Sequence, residues 1–204
     1  EVFGVDWPYA GAPWIQDPSF RWEGQLRADA SEEQLRAAKH SFALVRDPRE
    51  RIVSAWRSKA ACGNDYGTDG LDREVMVRGL LQTVGLPVRS CLNLRSFLEV
   101  LKLAHERGRG PTLNKHWRPQ QFWCFRKMAP GQWTEAAPIS TPGFASRIAS
   151  AFGDQSRPEF PHGHASHGHA PNITAEECAL LNDITRTEYE ALGLSMPTGC
   201  AVVA

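Results

Sequence analysis

A chain of 204 residues, 42% hydrophobic and 23% charged, can bury one substantial core, and a single domain spanning 1–204 is expected. Its 23 Lys and Arg balance 23 Asp and Glu, which leaves no net field to attract nucleic acid or an acidic membrane surface. No stretch approaches the roughly 18 apolar residues of a membrane span, so neither nucleic acid nor a bilayer is an expected partner. Cys62, Cys91, Cys124, Cys178 and Cys200 contain no C-x-x-C pair, which argues against a zinc ribbon or a thioredoxin-like centre. An odd count guarantees at least one free thiol in a monomer and leaves the redox compartment open, with the reduced, cytosolic state favoured.

Residues 1–30 read as an irregular segment packed by its own aromatics: Trp7-Pro8-Tyr9, Pro13-Trp14, Pro18 and Trp22. The same rings would also suit a sugar-stacking platform. Ser31-Glu-Glu-Gln34 is a capping box and opens a helix to about Lys39. Phe42 to Val45 is a short apolar run of the kind a covered parallel strand uses. Asp47-Pro48 then starts a helix, because Asp accepts from free amides and Pro has no N–H to satisfy at the first position. That helix runs to about Lys59, with Ile52, Val53 and Trp56 on one side and Arg51, Ser54 and Arg57 on another. Arg46 falls at the carboxyl end of the strand, where open α/β sheets bind ligands. A guanidinium, a hydroxyl and a helix amino terminus together suit a phosphate.

Cys62 to Gly70 is a loop by its glycines and turn residues. Leu71 to Val84 has a helical pattern. A clearer stripe of Leu94, Phe97, Leu98, Leu101 and Ala104 starts near Asn93 and stops at Gly108. Gln121 to Phe125 reads as a short buried strand. Phe144, Ile148 and Phe152 mark a helix closed by Gly153, and Thr174-Ala-Glu-Glu177 caps the last one. In that last helix Cys178, Leu181, Thr185, Tyr189 and Leu192 should face inward, with Gly193 as the stop. Alternation of strand, helix and loop indicates an α/β layer fold.

Arg46-Asp-Pro-x-x-Arg51-x-x-Ser54-x-Trp56 resembles the 3′-phosphate-binding motif of sulfotransferases that use 3′-phosphoadenosine 5′-phosphosulfate (PAPS). The resemblance is in particular to carbohydrate sulfotransferases of the chondroitin/dermatan 4-O type and their bacterial relatives. Asn114-Lys-His116-Trp117-Arg118-Pro119-Gln120 is similar to a His-Trp-Arg-Pro-Gln segment of that branch. The resemblance runs from about Ala38 to the final helix. It implies a three-layer, P-loop-NTPase-like sulfotransferase fold with a central parallel sheet. It also implies PAPS as co-substrate, a carbohydrate hydroxyl as acceptor and no required metal. The lysine-bearing phosphosulfate loop of the family has no counterpart between Glu1 and Lys39, the first lysine of the chain. A preceding strand, loop and helix are therefore expected upstream of Glu1. The alternative is a degenerate domain that binds glycan or protein.

Transfer of a sulfuryl group requires a held nucleotide, offset charge and an acceptor for the hydroxyl proton. The resemblance assigns the 3′-phosphate to Arg46 and Ser54. Arg51 is either a third phosphate contact or a brace paired with Asp47 or Glu50. His116 is the candidate base, since imidazole titrates nearest neutrality; a substrate-orienting or structural role is the other reading. Lys115 and Arg118 beside it are candidates for the sulfate or an anionic sugar. His162, His164, His167 and His169 recur in the small-residue loop 161–171, which suits a metal or a plain surface loop, while the resemblance implies a lid over nucleotide or acceptor. The compartment expected is the cytoplasm for a bacterial chain, or the Golgi lumen if an amino-terminal anchor precedes it.

Overall fold

A computed structural model describes residues 32–63, 70–122, 132–138, 141–151 and 172–199. The chain divides into two compact units, Glu1–Arg46 with Trp123–Ala165 and Asp47–Phe122 with Ser166–Ala204. The aromatic segment 1–30 and the histidine loop 161–171 lie outside the described residues.

The first unit holds α1 (Glu32–Ala37), β1 (Phe42–Val45), β2 (Glu135–Pro138) and α5 (Phe144–Ala151). β1 and β2 pair in parallel, Phe42 opposite Glu135 through Val45 opposite Pro138. At the strand starts the Ser41 amide donates to the Thr134 hydroxyl at 2.9 Å, and the Thr134 amide donates to the Ser41 hydroxyl at 3.2 Å. Phe42, Ala137, Phe144 and Ile148 form the core, with the Phe42 and Phe144 rings 6.3 Å apart. β2 has the sequence Glu-Ala-Ala-Pro, with no β-branched residue and a Pro that cannot donate, so local propensity hides it. Its partner strand, and not its composition, makes it a strand.

The second unit contains α2 (Pro48–Lys59), α3 (Gly70–Thr83), α4 (Leu94–Glu106) and α6 (Ala175–Leu192), with single 3₁₀ turns at Gly110–Thr112 and Gln120–Phe122. α4 buries its Leu94, Phe97, Leu98, Val100, Leu101 and Ala104 face in the main core with Ile52, Val53, Leu81, Trp117 and Leu181. Its start is capped by Asn93, whose side chain accepts from the Ser96 amide at 2.8 Å. The Thr174–Glu177 capping box opens α6, and Gly193 ends it at φ +67°, a left-handed conformation that glycine adopts without Cβ strain. Leu181, Thr185, Tyr189 and Leu192 face inward as the spacing predicts, joined by Ile184 and Glu188, whereas Cys178 is half-buried.

Two expectations are corrected here. The strand expected from Gln121 onward is instead a 3₁₀ turn in its described part, with Phe122 40% exposed; residues 123–125 lie outside the described residues. The favoured reduced state gives way to a Cys62–Cys91 disulfide, and Cys178 is disulfide-bonded as well. The Leu92 amide, next to Cys91, donates to the Ala60 carbonyl at 2.8 Å, so α2's end and α4's approach are joined by main chain and by sulfur. Among the described residues no helix is long and apolar enough to cross a membrane.

Candidate functional site

Arg46 follows β1 directly and is exposed, and Ser54 lies half-buried in α2. The amides at the start of α2 are already satisfied. Asp47 accepts from the Arg49 amide at 2.9 Å and the Glu50 amide at 3.0 Å, and its carbonyl accepts from the Arg51 amide at 2.9 Å. With Pro48 lacking an N–H, no first-turn donor remains for an anion, contrary to the three-part phosphate cradle read from the sequence. The guanidinium and hydroxyl remain as its candidates.

Asp47 is itself held from α6, by a hydrogen bond donated by the Tyr189 hydroxyl. Burial first, and that hydrogen bond second, hold the Tyr189 phenol well above its ordinary ionisation. Arg49 is buried and donates to the carbonyls of Pro197, at 2.6 Å, and Gly199. The start of α2 is thus fixed to α6 and to the segment after it.

Arg51 is 8% exposed. Its Nη2 donates to Glu188 Oε2 at 2.8 Å and its Nη1 to the His116 carbonyl at 3.1 Å. The carboxylate it reaches is on α6, and neither Asp47 nor Glu50 fills that place. Arg57 is buried as well, so both arginines of the Arg51–Ser54–Arg57 face lie inside the protein. Glu188 is 2% exposed and uses its second oxygen too: Oε1 accepts from the Gln120 amide and from Gln120 Nε2, both at 2.9 Å. Glu188 is not among the expected site residues, although the local sequence of α6 carries a signal for it. Its inward position followed from the Leu181–Thr185–Leu192 stripe, and an acidic residue on such a stripe implies a buried cation partner.

His116 is half-buried in the turn that Arg51 and Glu188 hold. Its amide donates to Asn114 Oδ1 at 3.1 Å. Burial, then the charges of Lys59 and Lys115, push its imidazole below the ordinary value, so the ring is neutral at pH 7 and able to take a proton. Lys59, at the end of α2, is a neighbour that spacing did not bring to attention. Trp117 beside it is 1% exposed and meets the Phe97 ring edge-on at 5.7 Å, which makes it packing. Lys115 is exposed. Arg118 is half-buried, its Nε donating to the Leu113 carbonyl at 2.8 Å. His105 on α4 was also not singled out: burial lowers its pKa, while Glu188 opposes that shift and Arg51 adds to it.

The second unit therefore gathers His116, Lys115, Arg118 and Lys59 around one braced turn. Arg46 belongs to the first unit and Ser54 to the second. The profile of the sulfotransferase family matches residues 15–135, a span that includes both the Arg46–Trp56 and the Asn114–Gln120 segments. The chain belongs to the sulfotransferase family. No curated protein and no solved structure shows a significant match to it. An α/β chain with a small parallel sheet and several helices is consistent with that family's fold.

Proposed function

We propose that this protein transfers a sulfuryl group from PAPS to a hydroxyl of a carbohydrate acceptor, on a three-layer, P-loop-NTPase-like fold. The observation that carries the reading is the family match across both motifs, with Arg46 exposed at the carboxyl end of a parallel strand. In this reading the guanidinium of Arg46 takes the 3′-phosphate as a charged fork; Ser54 is the hydroxyl that the resemblance of the motif assigns to the same phosphate. Arg51, buried on Glu188, acts as a brace and does not touch the nucleotide.

In the transfer, the S–O bond to the phosphate breaks as a new one forms to the acceptor oxygen, and the hydroxyl proton passes to the neutral imidazole of His116. The 5′-phosphate leaves with the electrons of the broken bond. Lys115 and Arg118 place positive charge beside the reacting group, where it offsets charge on the sulfuryl oxygens or holds an anionic sugar. The co-substrate supplies the activated sulfuryl group, and no metal enters the scheme.

Calorimetry with adenosine 3′,5′-bisphosphate and 5′-AMP tests the nucleotide assignment. Loss of a charge-assisted contact costs about 1.5–3 kcal/mol, or roughly ten- to a hundredfold in affinity. The bisphosphate should bind more tightly by that factor, and Arg46→Ala should erase most of the preference. Equal affinity of the wild-type protein for both nucleotides would remove the assignment.

A further inference from the structure

We propose that Glu188 and Arg51 are positioning residues for His116: the ion pair between them is a clamp that sets the orientation of the catalytic turn. The inference rests on the reading of His116 as the base. Its ground is where the bonds go. Both oxygens of one buried carboxylate are committed, one to Arg51 and one to the amide and side chain of Gln120. Arg51 spends its other terminal nitrogen on the His116 carbonyl. The two ends of the segment His116–Gln120 are thereby tied to the same residue of α6, with Trp117 wedged into the core between them. A charged pair is a poor means of gaining stability, because desolvation offsets most of its attraction, whereas its directional bonds determine one geometry. Here that geometry is the backbone on which the imidazole is mounted.

The full-length enzyme carrying Arg51→Met with Glu188→Gln tests this. The double change is neutral in charge, leaves an oxygen for Gln120 and removes the link to His116. We expect a melting temperature and bisphosphate affinity close to wild type, faster hydrogen exchange at the Trp117 and Arg118 amides, and kcat lower by about ten- to a hundredfold. Arg51→Lys is the milder companion. It keeps the charge opposite Glu188 but lacks the planar fork, and should show the same split between kcat and affinity in smaller measure. Unchanged kcat in a variant whose exchange shows the turn freed would overturn the clamp. So would a ten- to hundredfold loss of bisphosphate affinity, since it would make Arg51 a nucleotide ligand. His116→Asn reports separately on the base: if it keeps activity, that reading falls while the exchange result still judges the clamp.

A different observation carries a second inference. Asn172-Ile173-Thr174 is the one Asn-x-Ser/Thr triplet of the sequence, and Asn172 is exposed just before α6. Disulfides at Cys62–Cys91 and at Cys178 point to folding in an oxidising compartment, where such triplets are acceptors. We infer that Asn172 carries an N-linked glycan. Its amide nitrogen bonds to the sugar of a lipid-linked donor, the sugar–pyrophosphate bond breaks, and the amide loses one proton. In protein isolated from its native cells, N-glycanase should convert Asn172 to Asp and speed gel migration. Asn172→Gln should abolish that change and Thr174→Ser should keep it. An unmodified Asn172 peptide, or free thiols at Cys62 and Cys91 in the native protein, would overturn the inference.

Discussion

Removing the Tyr189 hydroxyl isolates the bond that ties the start of α2 to the last helix. Tyr189→Phe keeps the 2%-exposed ring and its contact with the Arg49 guanidinium, 5.9 Å from the ring centre. What goes is one hydrogen bond to a carboxylate, ordinarily about 1.5–3 kcal/mol. Asp47 retains two amide donors and is half-buried, so water replaces part of the loss and about 1–2 kcal/mol is expected. In a chain of this size that lowers Tm by roughly 2–8 °C. Asp47→Ala should cost about 2–4 kcal/mol, since it removes the cap and also leaves a buried phenol unpaired. The double mutant should then show a coupling of about 1 kcal/mol or more. The pH dependence provides an independent check. The folded phenol holds its proton beyond 10.0, where the unfolded one ionises, so the folded state binds more protons there and wild-type stability falls as pH rises past that value. The Phe variant lacks this loss, and the gap between the two should narrow in alkali. Urea denaturation at neutral and alkaline pH measures both quantities. A Tyr189→Phe protein as stable as wild type at pH 7, with no coupling to Asp47, would refute the reasoning.

The pH–rate profile should rise along an acid limb centred below imidazole's ordinary 6.5, because His116 must be neutral to act and burial lowers its pKa; His116→Asn should lose that limb and about 10²–10⁴-fold of turnover. The same depression makes a stability contribution that is present above 6.5 and lost as pH falls below it, since the unfolded imidazole then takes up a proton first; thermal melts at successive pH values follow it. Cys62→Ser opens a cross-link spanning 29 residues and should cost about 3–4 kcal/mol, seen as a Tm drop of roughly 6–16 °C; reductant, which also opens the Cys178 disulfide, should lower the wild-type Tm at least as far. Phe97→Ala, at a fully buried site against Trp117, should cost about 3–5 kcal/mol by chemical denaturation.

Where one stretch of chain holds all the information, the sequence was sufficient. Asp47-Pro48 marked the start of α2, Asn93 and Gly108 bracketed α4, and Thr174 with Gly193 bounded α6, since caps and left-handed stops are made by neighbours along the chain. The two motifs likewise lay in contiguous runs, and the family match covers both. β2 was not legible, because an Ala-Ala-Pro strand exists only through its pairing with β1, more than ninety residues earlier. The Cys62–Cys91 bond was equally hidden, as cysteine spacing carries no connectivity.

The candidate site divides in the same way. Helical spacing put Arg51, Ser54 and Arg57 on one face of α2, but it carries no information on what that face meets. Tertiary structure turned Arg51 inward onto Glu188, 137 residues away, and through it onto the His116 carbonyl. A guanidinium facing solvent and one sealed against a carboxylate have the same local sequence. They differ only in whether a distant helix brings the compensating charge, without which the desolvation cost would forbid burial.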